Sequence, residues 1–97
     1  MALMIMHDWT LGGLFIDWTR GAVRLELSSR DGARVLTGTG LKSASVPRRY
    51  PWGPSSSING YSGPVRTEEG TSRLVIEMQS GDVIELVADE FAMPEDA

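Results

Sequence analysis

Two runs near the end of the chain, Arg73–Met78 (RLVIEM) and Asp82–Ala88 (DVIELVA), alternate apolar and polar residues on either side of Gln79-Ser80-Gly81. In an extended chain, period two sends successive side chains to opposite faces. Leu74, Ile76 and Met78 then share one face with Ile84 and Leu86. Val75, Val83, Glu77 and Glu85 take the other. A short glycine-containing turn between two such runs predicts a β-hairpin. One hairpin cannot bury its own apolar face, so the rest of the chain must supply the other half of the core.

The rest of the chain repeats the pattern. In Trp9–Trp18, Leu14, Ile16 and Trp18 fall on one face, and Phe15 and Asp17 on the other. Gly12-Gly13 suggests a bulge near its start. Thr19-Arg20-Gly21 is a turn. In Ala22–Ser29 (AVRLELSS), Val23, Leu25 and Leu27 point inward. Arg30-Asp31-Gly32 is a hairpin turn, because Asp-Gly tolerates positive φ. Ala33–Thr39 follows, and Leu41–Val46 can continue it past a bulge. Ser57–Val65 is punctuated by Gly60, Gly63 and Pro64. Proline cannot donate to a ladder, so this strand belongs at a sheet edge. Ala88–Met93 is the one helical candidate, and it is short. The expectation is an all-β domain, an antiparallel meander of five or six strands forming a small sandwich or a rolled sheet with a proline-rich crossing loop.

Ninety-seven residues make a single domain, 1–97, with residues 1–6 and 94–97 as loosely held ends. The apolar start has no basic region before it and is too short for a secretory signal. No run is long enough to span a membrane. The chain has no cysteine and one histidine, which leaves no thiolate or multi-histidine site. No metal and no cofactor are expected, and the cysteine-free composition suits a reducing cytoplasm.

The crossing, Val46–Gly60 (VPRRYPWGPSSSING), is the stretch that breaks the alternation. Pro47, Pro51 and Pro54 fix φ and push their predecessors into extended geometry. Gly53 permits a sharp turn between two of them. Such a loop loses little entropy when it binds. Arg48, Arg49, Tyr50 and Trp52 are residue types enriched at binding hot spots, and Ser55 and Asn59 add short polar groups. Two roles are open to Trp52. It can fold back with Tyr50 as a lid over one end of the sheet, or the loop can make the main partner contact; the two are compatible if Trp52 anchors the loop while Arg48, Arg49 and Tyr50 face out.

Other constellations are weaker. A Ser55 (or Ser56), His7 and Asp8 triad fails on geometry, since adjacent strand residues point to opposite faces. The bland role for Asp8, with Thr10, is to satisfy backbone groups where the first strand begins. Glu77 and Glu85 read as solvated charges on a hairpin face, or as an acidic contact surface. Residues 1–66 carry eight Arg and Lys against four Asp and Glu, a balance of +4, whereas residues 67–97 carry one against nine, a balance of −8. The overall charge of −4 argues against nucleic acid, whose binders must neutralise several phosphates.

The H-D-W-T-L start, the strand ending in Trp18, P-R-R-Y-P-W-G-P-S and I-E-M-Q-S-G-D-V-I-E-L together resemble a group of small uncharacterised bacterial all-β proteins. The layout, an early His-Asp followed by hairpins and a proline-rich crossing, is also similar to that of immunity proteins from polymorphic-toxin systems. That likeness implies a non-enzymatic binder that neutralises a toxin by occlusion. The expectation is a protein-binding module using Arg48, Arg49, Tyr50, Trp52, Ser55 and Asn59 together with the acidic C-terminal hairpin. The alternative is a small-ligand or carbohydrate-binding domain that stacks its ligand on Trp52 and Tyr50. An exposed edge strand would also allow a homodimer.

Overall fold

A computed structural model describes residues 6–95. Six strands follow one another: β1 (Thr10–Asp17), β2 (Ala22–Ser29), β3 (Gly32–Ser45), β4 (Ile58–Arg66), β5 (Ser72–Met78) and β6 (Val83–Ala92). They form one antiparallel sheet in the order β1-β2-β3-β6-β5-β4. A flat sheet is only about 10 Å thick. Here the smallest extent of the Cα trace is 26 Å, so the sheet is rolled. Its two outer strands meet where they begin. The N–H of Ile58 donates to Trp9 O at 2.7 Å and that of Leu11 to Ser56 O at 2.8 Å. No helix among the described residues is long and apolar enough to cross a membrane.

Alternation builds the core as expected. Val23, Leu25 and Leu27 of β2, Leu36 of β3, Leu74, Ile76 and Met78 of β5, and Ile84 and Leu86 of β6 are all buried in one cluster. Each such side chain contributes roughly 1.5–3 kcal/mol by leaving water. The cluster also contains Met6 (0% exposed) and Trp9 (7%). Residues 1–5, the rest of the segment expected to be loose, lie outside the described residues, as do 96–97.

Several local expectations change. Ile16 keeps its inward register opposite buried Val23, yet it is substantially exposed, because the contact of β1 with β4 ends at Leu11 and no strand flanks Ile16 on its outer side. Trp18 has left the strand: it sits in the turn closed by Gly21 N–H to Trp18 O and is 89% exposed. The bulge at Leu11/Gly13 is present. Ala88–Met93 is strand rather than helix. Through Ala92 it pairs with the middle of β3, Thr37–Leu41, where Gly38 opposite Phe91 leaves room for the ring. At the Arg30-Asp31 turn, positive φ falls on Gly32 alone of the three turn residues. β4 lies at the other edge, interrupted by two register shifts and Pro64, as its composition foretold.

Candidate functional site

Residues 46–57 run from the end of β3 to the start of β4 and cross the mouth of the rolled sheet. The fold of this loop is set by a carboxylate. Asp82, between the β5–β6 turn and β6, is 5% exposed. Its Oδ1 accepts the backbone N–H of Arg49 at 2.9 Å, and its Oδ2 accepts that of Tyr50 at 3.1 Å. Ser80 Oγ–H donates to Oδ2 at 2.8 Å, and Ser80 is itself buried. Two loop amides are thereby satisfied in a place where leaving them unpaired would be costly.

The loop then turns sharply. Gly53 N–H donates to Tyr50 O at 3.1 Å, with Pro51 and Gly53 at the turn positions each favours. Tyr50 takes a positive φ of 53° to enter this turn. Trp52 N–H donates to Ser80 O at 2.8 Å, which ties the turn to the β5–β6 hairpin a second time. The Trp52 ring lies over Gly81: a Cβ there would stand 2.2 Å from indole Cδ1. Even so, Trp52 is 82% exposed. It caps a glycine rather than filling the core, and the tryptophan that fills the core is Trp9. The lid role for Trp52 is therefore not what the structure adopts.

Beside the loop is a groove of about 610 Å³. Leu11, Leu14, Met78 and Ile84 form its apolar floor, with Arg48, Tyr50, Pro54 and Ser55 on the loop side. The Arg48 guanidinium stacks over the Tyr50 ring, 4.6 Å from its centroid. That is cation–π distance. Ser55 Oγ accepts the N–H of Ser57 at 3.1 Å and so shapes the return of the loop.

The six residues singled out in the sequence thus divide. Arg48, Tyr50 and Ser55 line the groove. Arg49 contributes its backbone to Asp82, and its side chain is exposed. Trp52 stands on the turn outside the groove. Asn59 belongs elsewhere: its Nδ2 donates to Glu77 Oε1 at 2.9 Å, in a second cavity of about 440 Å³ shared with His7 and Tyr61. His7 Nδ1 donates to Asn59 O at 2.8 Å. His7 and Asp8 lie in a turn rather than a strand, and their side chains do meet, Nε2 to Oδ1 at 3.6 Å; the triad fails instead because Ser55 and His7 line different cavities. Asp8 accepts from Gln79 Nε2 instead of capping backbone groups with Thr10. Glu85 is paired with Arg73, which leaves the hairpin's acidic face less free than the sequence suggested.

Asp82 and Ser80 were not singled out in the sequence, and neither were the groove residues Leu11–Leu14. A signal was present in Ser80-Gly81-Asp82, since serine and aspartate beside a turn glycine are the side chains that capture nearby backbone N–H groups. What Asp82 captures here lies more than thirty residues away, and no local pattern shows that.

No family model matches the chain, and no curated protein matches it. Among solved structures, the fold is similar to that of an uncharacterized protein from Neisseria gonorrhoeae, with a TM-score of 0.62 and 11% identity, covering 91% of each chain. At that identity the likeness is one of fold alone.

Proposed function

We propose that the protein is a non-enzymatic protein-binding module whose contact surface is the loop at residues 46–57. Within that class we read it as an immunity-like protein that neutralises a toxin by covering it. The observation that carries the reading is Trp52. Its indole is 82% exposed, on a backbone held by Asp82 on one side and Ser80 on the other. An exposed aromatic on a fixed loop presents large apolar area with little ordering cost left for binding. Arg48, Arg49 and Tyr50 complete a set of residue types that dominate hot spots.

The small-ligand reading needs Trp52 and Tyr50 to stack on one ligand. Tyr50 lines the groove with Arg48 already against its ring, whereas Trp52 lies over Gly81. Separate placements favour a broad protein contact over a single small-molecule pocket. A thermal-shift screen with oligosaccharides and nucleotides tests the alternative, because a ligand at about 100 times its Kd adds about 2.7 kcal/mol.

The main reading is tested by affinity capture from the native host with three baits: the wild-type protein, Trp52→Ala, and Arg48→Ala with Arg49→Ala. A partner retained by the wild type and lost by both variants at unchanged Tm supports it. Equal retention by all three baits overturns it. The immunity role predicts that co-expression rescues cells from a toxin encoded beside this gene, and that Trp52→Ala abolishes the rescue.

A further inference from the structure

The seam between β1 and β4 closes only in part. Among the described residues, its last hydrogen bond is Leu11 N–H to Ser56 O. Beyond it, Gly12–Asp17 of β1 has no backbone partner on that side, and Gly12–Leu14 faces the proline loop across the groove. Pro54 has no N–H to offer, so the loop departs where the next rung would form. The other edge, β4, is blunted by Pro64 and two register shifts. The edge of β1 carries one shift at Leu11/Gly13 and then runs regularly through Leu14, Phe15 and Ile16. An unprotected edge is a template for strand addition.

The groove lies along this edge, with its apolar floor beneath. Its volume of about 610 Å³ falls within the range of about 300–1,000 Å³ typical of ligand sites. Its charge is one-sided. The Asp82 carboxylate in its wall is 5% exposed and occupied by Arg49 N–H, Tyr50 N–H and Ser80 Oγ–H. Arg20, Arg24, Lys42 and Arg73 each stand beside an acidic side chain. Arg48 and Arg49 have no acidic partner among the described residues, and Arg48 is held ready by its stack on Tyr50. A guanidinium stacked by its face keeps its N–H edge free for a carboxylate.

We propose that the groove binds an extended acidic segment of a partner protein. The segment adds as a strand along Gly12–Phe15, sets an apolar side chain on the Leu11–Leu14–Met78–Ile84 floor, and places a carboxylate on Arg48. This rests on the reading of the 46–57 loop as a protein-contact surface and names the kind of segment it takes. Main-chain hydrogen bonds supply the affinity in such strand addition, and the alternating side chains supply the selectivity.

The test uses the whole protein and two fluorescein-labelled heptapeptides, one alternating glutamate with valine or leucine, the other with lysine in place of glutamate. The expected result is binding of the acidic peptide alone, with new hydrogen-exchange protection at the Gly12–Phe15 amides. Arg48→Glu should weaken it about tenfold or more, while Arg66→Glu, at the end of β4 remote from the seam and the groove, leaves it unchanged. No anisotropy change up to about 1 mM acidic peptide overturns the proposal. So does equal binding of both peptides, protection elsewhere than β1, or a peptide-free dimer that protects the same amides. Capture of a partner that depends on Trp52, with no peptide binding, would leave the loop reading standing and remove this one. Peptide binding as expected, with capture lost in Arg48→Glu but indifferent to Trp52→Ala, would support the groove and move the loop's main contact from Trp52 to Arg48.

Discussion

Asp82 Oδ2 lies 3.1 Å from the backbone nitrogen of Tyr50, thirty-two positions earlier in the chain. Through that contact and its neighbour at Arg49, a buried carboxylate in the hairpin fixes a loop whose own sequence supplies stiffness but no anchor. Prolines restrict each residue; they do not decide where the loop rests.

Removing the anchor should therefore release the loop without unfolding the sheet. Asp82→Ala leaves the Arg49 and Tyr50 N–H groups and the Ser80 hydroxyl without their acceptor. The expected loss is about 2–3 kcal/mol, since hydrogen bonds to a charged group are worth about 1.5–3 each and the freed loop recovers part of this from water. Asp82→Asn keeps one acceptor oxygen and should cost less. Urea denaturation gives the totals. Hydrogen exchange at Arg49 and Tyr50 should accelerate in Asp82→Ala well before the amides of β5 do.

The three tryptophans should behave as three different residues. Trp9 is 7% exposed, Trp18 89% and Trp52 82%. Trp9→Ala opens a core cavity and should cost about 3–5 kcal/mol. Trp18→Ala and Trp52→Ala should each stay within about 0.5 kcal/mol of wild type, as for exposed sites. Acrylamide should quench the wild-type emission in two populations, and removing both exposed tryptophans should leave only the protected one. Substantial destabilisation by Trp52→Ala would mean that its contact with Gly81 matters more than its exposure suggests.

Gly81 offers the complementary change. Its φ is +93°, and a Cβ there would meet Trp52 Cδ1 at 2.2 Å. Gly81→Ala should therefore displace the indole as well as strain the turn. A positive φ costs an L-residue about 1–2 kcal/mol. The expected outcome is a stability loss of that size, together with a shift in Trp52 emission that Asp82→Ala alone does not reproduce.

How much of this was readable beforehand depends on distance along the chain. The β5–β6 hairpin was legible because each apolar residue sits two positions from the next, and a glycine turn fixes the register of Leu74 opposite Leu86. The edge position of β4 was legible because Pro64 excludes a central one. Trp52 and Trp9 were not distinguishable by type: both are tryptophans near turn signals. Their fates are set by the β1–β4 seam, where Trp9 O accepts Ile58 N–H, and by Gly81, which leaves the indole only a glycine to lie on. Ala88–Met93 lacked a strand partner in local sequence; its partner is the middle of β3, Thr37–Leu41, some fifty residues away. The groove was invisible for the same reason, as its walls come from residues 11–14, 46–56 and 78–84, far apart along the chain.

Gly40 is another position where a side chain is excluded twice over. Its φ is +65°, and a Cβ there would lie 2.1 Å from Asp89 Oδ2 and 2.8 Å from Asp89 Cβ. The carboxylate can swing aside, at the expense of its exposed contact with Lys42 at 3.7 Å, and such pairs are worth only about 0–1 kcal/mol. The Cβ of Asp89 cannot swing, because it is set by the backbone of β6. Gly40→Ala should thus cost about 2–3 kcal/mol, from positive φ at about 1–2 kcal/mol plus the strain of crowding. Asp89→Ala alone should be nearly neutral. In the Asp89→Ala background the cost of Gly40→Ala should fall but not vanish, since the φ term and the Cβ contact both remain. Equilibrium urea unfolding of the four proteins in the double-mutant cycle measures this directly. Full additivity would mean that the two side chains never compete for the space between β3 and β6.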